Sequence, residues 1–164
     1  MAGSRVGEFA RLYDRELEQL EAEVAAYPDD ESLWLVSGDI KNPGGTLALH
    51  LAGCLNHYLG AVLGGSGYKR KRDEEFAVRD APKSDVLREV RGARSSVRDA
   101  LAKIGDFRLR DEMKGVPEAY KGETVSWMLI HLLAHLTYHK GQINYHRRIL
   151  VEAPAEKAAG RKKK

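Results

Sequence analysis

The residues in this sequence best able to do chemistry are its six histidines, which are confined to two segments. They are His50 and His57 in the first segment, and His131, His135, His139 and His146 in the second. At about 100° per residue, the four histidines of the second segment share one stripe of an α-helix. Imidazoles four residues apart lie on adjacent turns and can chelate one metal ion. His131 with His135, or His135 with His139, could therefore supply two ligands.

A third ligand would come from the other histidine segment. The distance from His131 to His146 is about 22 Å along a helix, so one ion cannot use all four histidines of the stripe. His50 or His57 could close a three-histidine site from a facing helix, and spacing leaves that choice open. Three neutral imidazoles leave a coordination position for water or substrate, which is typical of a catalytic site. Cys54 shares a face with these histidines and is expected to pack as a small buried hydrophobic residue.

Several other kinds of protein are excluded by what the sequence lacks. A di-iron carboxylate bundle needs Glu-x-x-His pairs and a zincin needs His-Glu-x-x-His, whereas this chain has His131-Leu-Leu-Ala-His135. Cys54 is the only cysteine, which excludes a disulfide scaffold and a cysteine-rich zinc finger. A single thiol favours the reducing cytosol, so we expect a cytoplasmic protein.

The charge distribution argues against nucleic-acid binding by the folded part of the chain. The formal net charge is +3, but residues 156–164 carry five cations and one anion, so the other 155 residues have a net charge of −1. A nucleic-acid module would carry its cations on a folded face. We expect residues 156–164 to be a disordered basic tail and predict no nucleic-acid partner. Residues 44–68 contain no charged side chain, but their histidines, Asn56 and glycines favour a buried helix over a membrane span.

Helical periodicity predicts the elements that must position the histidines. The predicted helices cover residues 4–26, 46–63, 83–104 and 124–151, the second with Thr46 as its N-cap. Residues 68–82 and 106–123 are predicted to be long connections without strong strands. These lengths predict an all-α protein, a four-helix bundle forming one domain over residues 1–155.

Three segments of the sequence resemble the DinB/YfiT-like superfamily, and within it a branch with no assigned function. They are residues 42–58, 68–76 and 131–143, of which the ending His135-Leu-Thr-Tyr-His139-Lys-Gly-Gln142-Ile is the most specific. The resemblance extends over residues 5–150. It implies an up-down-down-up four-helix bundle, often dimeric, so we expect a homodimer. It also implies that the metal triad is His50, His135 and His139.

The resemblance further implies a class of reaction. Some relatives are thiol S-transferases or thiol-dependent isomerases whose metal binds a low-molecular-weight thiol, and a divalent ion stabilises thiolate over thiol. We therefore expect a metal-dependent thiol transferase or hydrolase acting on a small molecule, with zinc or nickel as the ion. The alternative is a non-catalytic metal-binding, dimerising stress protein.

Further polar residues are candidates for roles around the ion. Gln142, Asn56 and Tyr138 could orient an imidazole or a bound water. Arg70 and Arg72 could bind an anionic substrate.

Overall fold

Helices pack around a single hydrophobic core in the computed structural model, which describes residues 3–151. The α-helices are α1 (Arg5–Ala25), α2 (Gly44–Leu55), the short α3 (Arg72–Ala77), α4 (Lys83–Ala102) and α5 (Val125–His146). Two of them continue directly as π-helices, α2 over Asn56–Leu63 and α5 over Arg147–Val151. No β-strand occurs within residues 3–151, and the predicted all-α class is confirmed. The up-down-down-up order of the helices stays a prediction.

The two helices α1 and α4 are amphipathic and pack against each other. α1 begins at Ser4, whose hydroxyl accepts a hydrogen bond from the Gly7 amide at 3.0 Å, a standard N-cap. The buried apolar side chains recur at helical spacing, and they are Val6, Tyr13, Leu17, Leu20 and Val24 on α1 and Val86, Val90, Ala93, Val97, Ala100 and Leu101 on α4. The predicted boundaries of these two helices agree with the structure to within two residues.

The helix α2 is buried on nearly all sides, since every residue except Leu49 is buried. It begins at Gly44, so the predicted N-cap Thr46 is wrong. A Cβ at Gly44 would lie 2.2 Å from the Tyr27 hydroxyl, and one at Gly45 would lie 2.7 Å from the Trp34 ring. The glycines therefore form a first turn that only they can fit. Thr46 instead accepts a hydrogen bond from Arg79 at 2.9 Å.

The helix and its π-helical continuation, Gly44–Leu63, are long and apolar enough to cross a membrane by length and composition alone. However, 67% of the most apolar window is buried inside the protein. This burial is that of a core helix, as expected from the sequence.

The helix α5 packs against α2 and α1. Its N-cap is Thr124, whose hydroxyl accepts from the Trp127 amide at 3.1 Å. Its buried side chains include Met128, Leu129, Leu132 and Leu136. The predicted helix at 124–151 is therefore present, with its last turn in π geometry.

The connections between the long helices are more structured than expected. Residues 68–82 contain α3, whose six residues are too few to show a helical period. Residues 106–123 contain two 3-10 turns, Asp106–Arg110 and Glu118–Tyr120. The predicted basic tail at 156–164 lies outside the described residues. The predicted domain, residues 1–155, extends two residues before them and four residues after them.

Candidate metal centre

Facing helices α2 and α5 bring three histidines together. His50, His135 and His139 each offer one ring nitrogen, and these nitrogens lie within 4.8 Å of one another. The Nε2 atoms of His50 and His135 are 3.3 Å apart. His135 and His139 lie one turn apart on α5, so their rings project to the same point from adjacent turns. Of the two candidates, it is His50 on α2, and not His57 on its π-helical continuation, that faces this pair.

Glu75 contacts His50 at Nδ1, the ring nitrogen that does not face His135. The Glu75 carboxylate lies 3.1 Å from His50 Nδ1, and Arg70 donates to both carboxylate oxygens at 2.7 and 2.8 Å. Burial alone would raise the pKa of Glu75, but the hydrogen bonds from Arg70 and His50 outweigh it and lower that pKa. An ionised carboxylate can only accept hydrogen bonds. Glu75 therefore favours a proton on His50 Nδ1, against the Arg70 guanidinium, whose Nη2 lies 3.2 Å from the same nitrogen, and His50 Nε2 faces His135.

The two histidines of α5 have the same orientation. His139 Nδ1 lies 2.6 Å from Gln142 Oε1, and His135 Nδ1 lies 4.0 Å from Cys54 Sγ. Because an amide oxygen accepts, His139 donates from Nδ1 and keeps Nε2 as its acceptor. The Cys54 contact engages Nδ1 of His135, whose Nε2 faces His50. Burial, together with the neighbouring His139 and His50, lowers the pKa of His135 to about 4. Burial also lowers the pKa of His139, so both rings are neutral at pH 7.

The free nitrogens fit a divalent transition metal. The Nε2 atoms of His50 and His135 face each other at 3.3 Å. Two nitrogens bound to one tetrahedral zinc ion at about 2.0–2.1 Å are separated by about 3.3 Å. Neutral imidazole suits zinc, nickel and copper, and a carboxylate behind a ligating histidine is a common support for such sites. The three histidines and Glu75 therefore satisfy the chemical requirements of a three-histidine metal site.

Glu75 is the functional residue that sequence reasoning missed as a partner of His50. It lies on α3, and it approaches α2 closely because residue 53 is a glycine: a Cβ there would be 2.1 Å from Glu75 Oε1. Phe76, the next residue, places its ring 4.9 Å from the His50 ring. The available signal was Gly53 within an otherwise apolar helix, since a glycine there can mark the close approach of another group.

The residues predicted to orient the ligands lie at different distances from them. Gln142 contacts His139 directly. Tyr138 places its ring 5.1 Å from the His139 ring, although its side chain is 64% exposed. Asn56 is buried but lies about 240° around the helix from His50, on a different side.

The two arginines predicted to bind substrate have different surroundings. Arg70 has only 12% of its side chain exposed and is engaged by Glu75, so it supports the carboxylate behind His50. Arg72 is exposed, and its guanidinium lies 5.0 Å above the Phe76 ring. A role in substrate binding stays a prediction for both.

The other three histidines have their own contacts. His131 stacks on Trp127 with ring centroids 5.0 Å apart and planes 9° apart. His57 packs against Tyr58 at 4.7 Å. His146 is buried and bonded at both nitrogens, to the Tyr27 hydroxyl and to the Leu35 carbonyl, so its role is structural.

Comparison with known proteins agrees with this architecture. A solved structure described as a conserved protein from Enterococcus faecalis superposes with a TM-score of 0.73 over 93% of this chain and 100% of the other, at 17% sequence identity. At that identity the likeness concerns the fold alone. No curated protein matches the sequence. The family model of the DinB superfamily matches residues 12–143, a span that includes the three clustered histidines. The chain therefore belongs to the DinB superfamily, and its histidine cluster is compatible with a metal-binding protein.

Proposed function

We propose that this protein is a metal-dependent enzyme in which His50, His135 and His139 hold one divalent ion, zinc or nickel, and that it acts on a small molecule as a thiol S-transferase or hydrolase. One observation carries the proposal. All three imidazoles have Nδ1 engaged by another group, and one ring nitrogen of each lies within 4.8 Å of those of the other two. Histidines that served only packing would have no reason to share this orientation.

The proposed chemistry follows from the number of protein ligands. Three histidines leave a coordination position open to a small molecule. A divalent ion held there would favour thiolate over thiol, or hydroxide over water, at neutral pH. Glu75 and Arg70 keep His50 in the tautomer that presents Nε2, and Gln142 does the same for His139.

The reacting thiol of a transferase would be a low-molecular-weight thiol supplied from outside the chain. Burial raises the pKa of Cys54 to about 11, so this thiol is protonated at neutral pH. Its sulfur lies near His135 Nδ1, on the side of the ring away from the free nitrogen. Cys54 therefore supports the His135 ring and is not the nucleophile.

Metal content per chain tests the proposal. Elemental mass spectrometry on untagged protein should find close to one zinc or nickel per wild-type chain. His50→Ala, His135→Ala and His139→Ala should each lose it. The control His57→Ala, on the π-helical continuation of α2 and outside the cluster, should retain it. Metal retained in all three variants, or absent from wild type after supplementation, would contradict the proposal.

The reaction type is tested on the metal-loaded protein. With a small thiol and an electrophilic acceptor, a transferase consumes free thiol in step with acceptor, which a thiol-reactive dye measures. A hydrolase consumes a thioester or amide without added thiol. Either activity should disappear in His139→Ala.

The predicted homodimer has support on the outer face of α5. Trp127 and Ile130 are 37% and 58% exposed, and Ala134 between the turns is exposed too. We propose that a second copy of the chain covers this face. The same observation favours the alternative function, a non-catalytic metal-binding, dimerising stress protein.

Light scattering tests the dimer and should give twice the chain mass for wild type and one chain mass for Ile130→Glu. A fully metal-loaded dimer inactive on every thiol and ester tested would favour the alternative.

A further inference from the structure

A cavity of about 500 Å³ lies beside the histidine cluster, between residues 39–42 and the C-terminal half of α5. His139 and Gln142 form part of its wall, so the cavity reaches the side of the candidate metal centre. Its volume falls within the range of about 300–1,000 Å³ typical of small-molecule sites.

Part of this cavity is lined by apolar and aromatic side chains that the fold leaves in solvent, and the loop side also carries the polar residues Asp39 and Asn42. Ile40, Tyr145 and Ile149 are 38%, 67% and 53% exposed, and all three line the cavity with Tyr138. Exposed apolar groups on a single protein are commonly scattered, whereas a concave group of them marks a binding site. Lys41 also lines the cavity, and it is exposed.

The wall formed by the loop is held in place by His146. The Leu35 carbonyl can only accept, so His146 Nε2 donates to it at 2.8 Å, and the Tyr27 hydroxyl donates to His146 Nδ1 at 2.7 Å. Both partners of the imidazole lie outside α5, so the ring ties the segment before residues 39–42 to the helix. His146 does not belong to the candidate metal centre. Its two hydrogen bonds fix the segment before residues 39–42 against α5, which would keep the cavity open before a ligand binds.

We infer that this cavity binds the apolar, aromatic part of the substrate while the substrate's sulfur or oxygen head lies at the histidine cluster. The substrate class is then a small molecule with an aromatic or branched alkyl body and one soft anionic head, such as an arylalkyl thiol. The inference rests on the proposed function, because the head is placed by the metal. The cavity would select among substrates by the size and shape of their apolar part.

A series of thiols tests the inference on full-length protein loaded with cobalt(II). Benzyl, phenylethyl and phenylpropyl thiol would be titrated against it, with sulfur-to-cobalt charge-transfer absorption reporting thiolate binding. Each methylene that enters an apolar cavity should lower the dissociation constant about three- to fourfold. 2-Mercaptoethanol, which has no apolar body, should bind most weakly.

Two variants locate the effect. Tyr145→Ala removes an exposed wall of the cavity and should weaken phenylpropyl thiol binding about tenfold without changing that of 2-mercaptoethanol. Phe107→Ala removes an aromatic ring that is 76% exposed and does not line the cavity, so it should change neither. Equal affinities across the series, or no effect of Tyr145→Ala, would overturn the inference and leave the metal centre standing. Failure of wild type to bind cobalt at all would overturn the proposed function and this inference with it.

Discussion

The pair α1 and α4 and the pair α2 and α5 use the same bundle in different ways. On α1 and α4, charged side chains cover the outside and pair across helices, as in Arg94 with Asp14 at 2.6 Å and Arg91 with Glu21 at 2.7 Å. The sequence of α2 contains no Asp, Glu, Lys or Arg, and α5 contains none before Lys140.

The two pairs of helices contribute differently: α1 and α4 stabilise the fold, whereas α2 and α5 carry the residues that could bind a metal ion. The apolar stripes of α1 and α4 bury side chains that pack mainly against other apolar groups, and this burial stabilises the fold. On α2 and α5, buried and half-buried positions hold imidazoles whose ring nitrogens converge. Substitutions in the first pair should change the free energy of unfolding, and substitutions in the second should change metal affinity.

The largest expected effect is on stability, from the α1 side. Leu20 is fully buried, and Leu20→Ala should lower the free energy of unfolding of metal-free protein by about 2–5 kcal/mol, because it leaves a cavity in the core. Urea titration measures this. Val36→Ala, at a position 57% exposed, should change it by less than about 0.5 kcal/mol. Loss of metal stoichiometry in folded Leu20→Ala would show that the two pairs are not separable.

Metal should stabilise the protein through the α2 and α5 side alone. A ligand that binds only the native state, at a free concentration 100 times its dissociation constant, adds about 2.7 kcal/mol to the free energy of unfolding. Wild type should show this gain in urea titrations with zinc, and His139→Ala should not. An equal gain in His139→Ala would place the ion elsewhere.

Removing the carboxylate behind His50 should weaken metal binding without abolishing it. Glu75→Gln replaces an acceptor that fixes the His50 tautomer, and changes of this kind cost about 10–100-fold in metal affinity. Competition with a chelator of known affinity measures the change, with one ion per chain still bound at saturation. The matched control is the adjacent Glu74→Gln, whose side chain is 66% exposed and pairs with Lys71. A similar loss in both variants would remove the special role of Glu75.

A substitution at Gly53 on α2 should displace the Glu75 carboxylate by steric contact. Gly53→Ala would place a Cβ 2.1 Å from Glu75 Oε1, so Glu75 must move away from His50, and metal affinity should fall by about tenfold. The control is Gly141→Ala on α5, where a Cβ meets open space and the helix should gain up to about 1 kcal/mol. Unchanged affinity in Gly53→Ala would mean that Glu75 can shift and still hold His50.

The smallest expected effect concerns pH and a contact that joins the two pairs. Burial would raise the pKa of Glu16, but hydrogen bonds from Lys140 and Arg15 outweigh it and lower that pKa. A carboxyl group whose pKa is lower in the folded than in the unfolded protein stabilises the fold at pH values above its unfolded-state pKa. This contribution is lost as the pH falls through its folded-state pKa. Glu16→Gln should therefore lower the free energy of unfolding at pH 7 by about 1 kcal/mol. It should also reduce the amount of stability that is lost between pH 7 and pH 3. Urea titrations at pH 7 and pH 3 compare the two proteins, and an unchanged acid dependence would contradict the assignment.

Local patterns predicted much of this fold because helix formation depends on neighbours within a few residues. The positions of the four long helices follow from the spacing of their apolar residues. The start of α2 did not, because Gly44 and Gly45 are helical only where Tyr27 and Trp34 pack against them. Glycine otherwise indicates a break.

The sequence by itself determined that the histidines lie on two helices with few charged residues and that those of α5 share a stripe. Spacing left His50 and His57 as alternatives, since both lie on one helix, and the resemblance to a family selected His50. Only the tertiary structure decided which nitrogen of each ring is free. That choice depends on Glu75 from α3, Cys54 from α2 and Gln142 from α5. Two of these three contacts join residues far apart in the chain, and helical periodicity carries no information about such contacts.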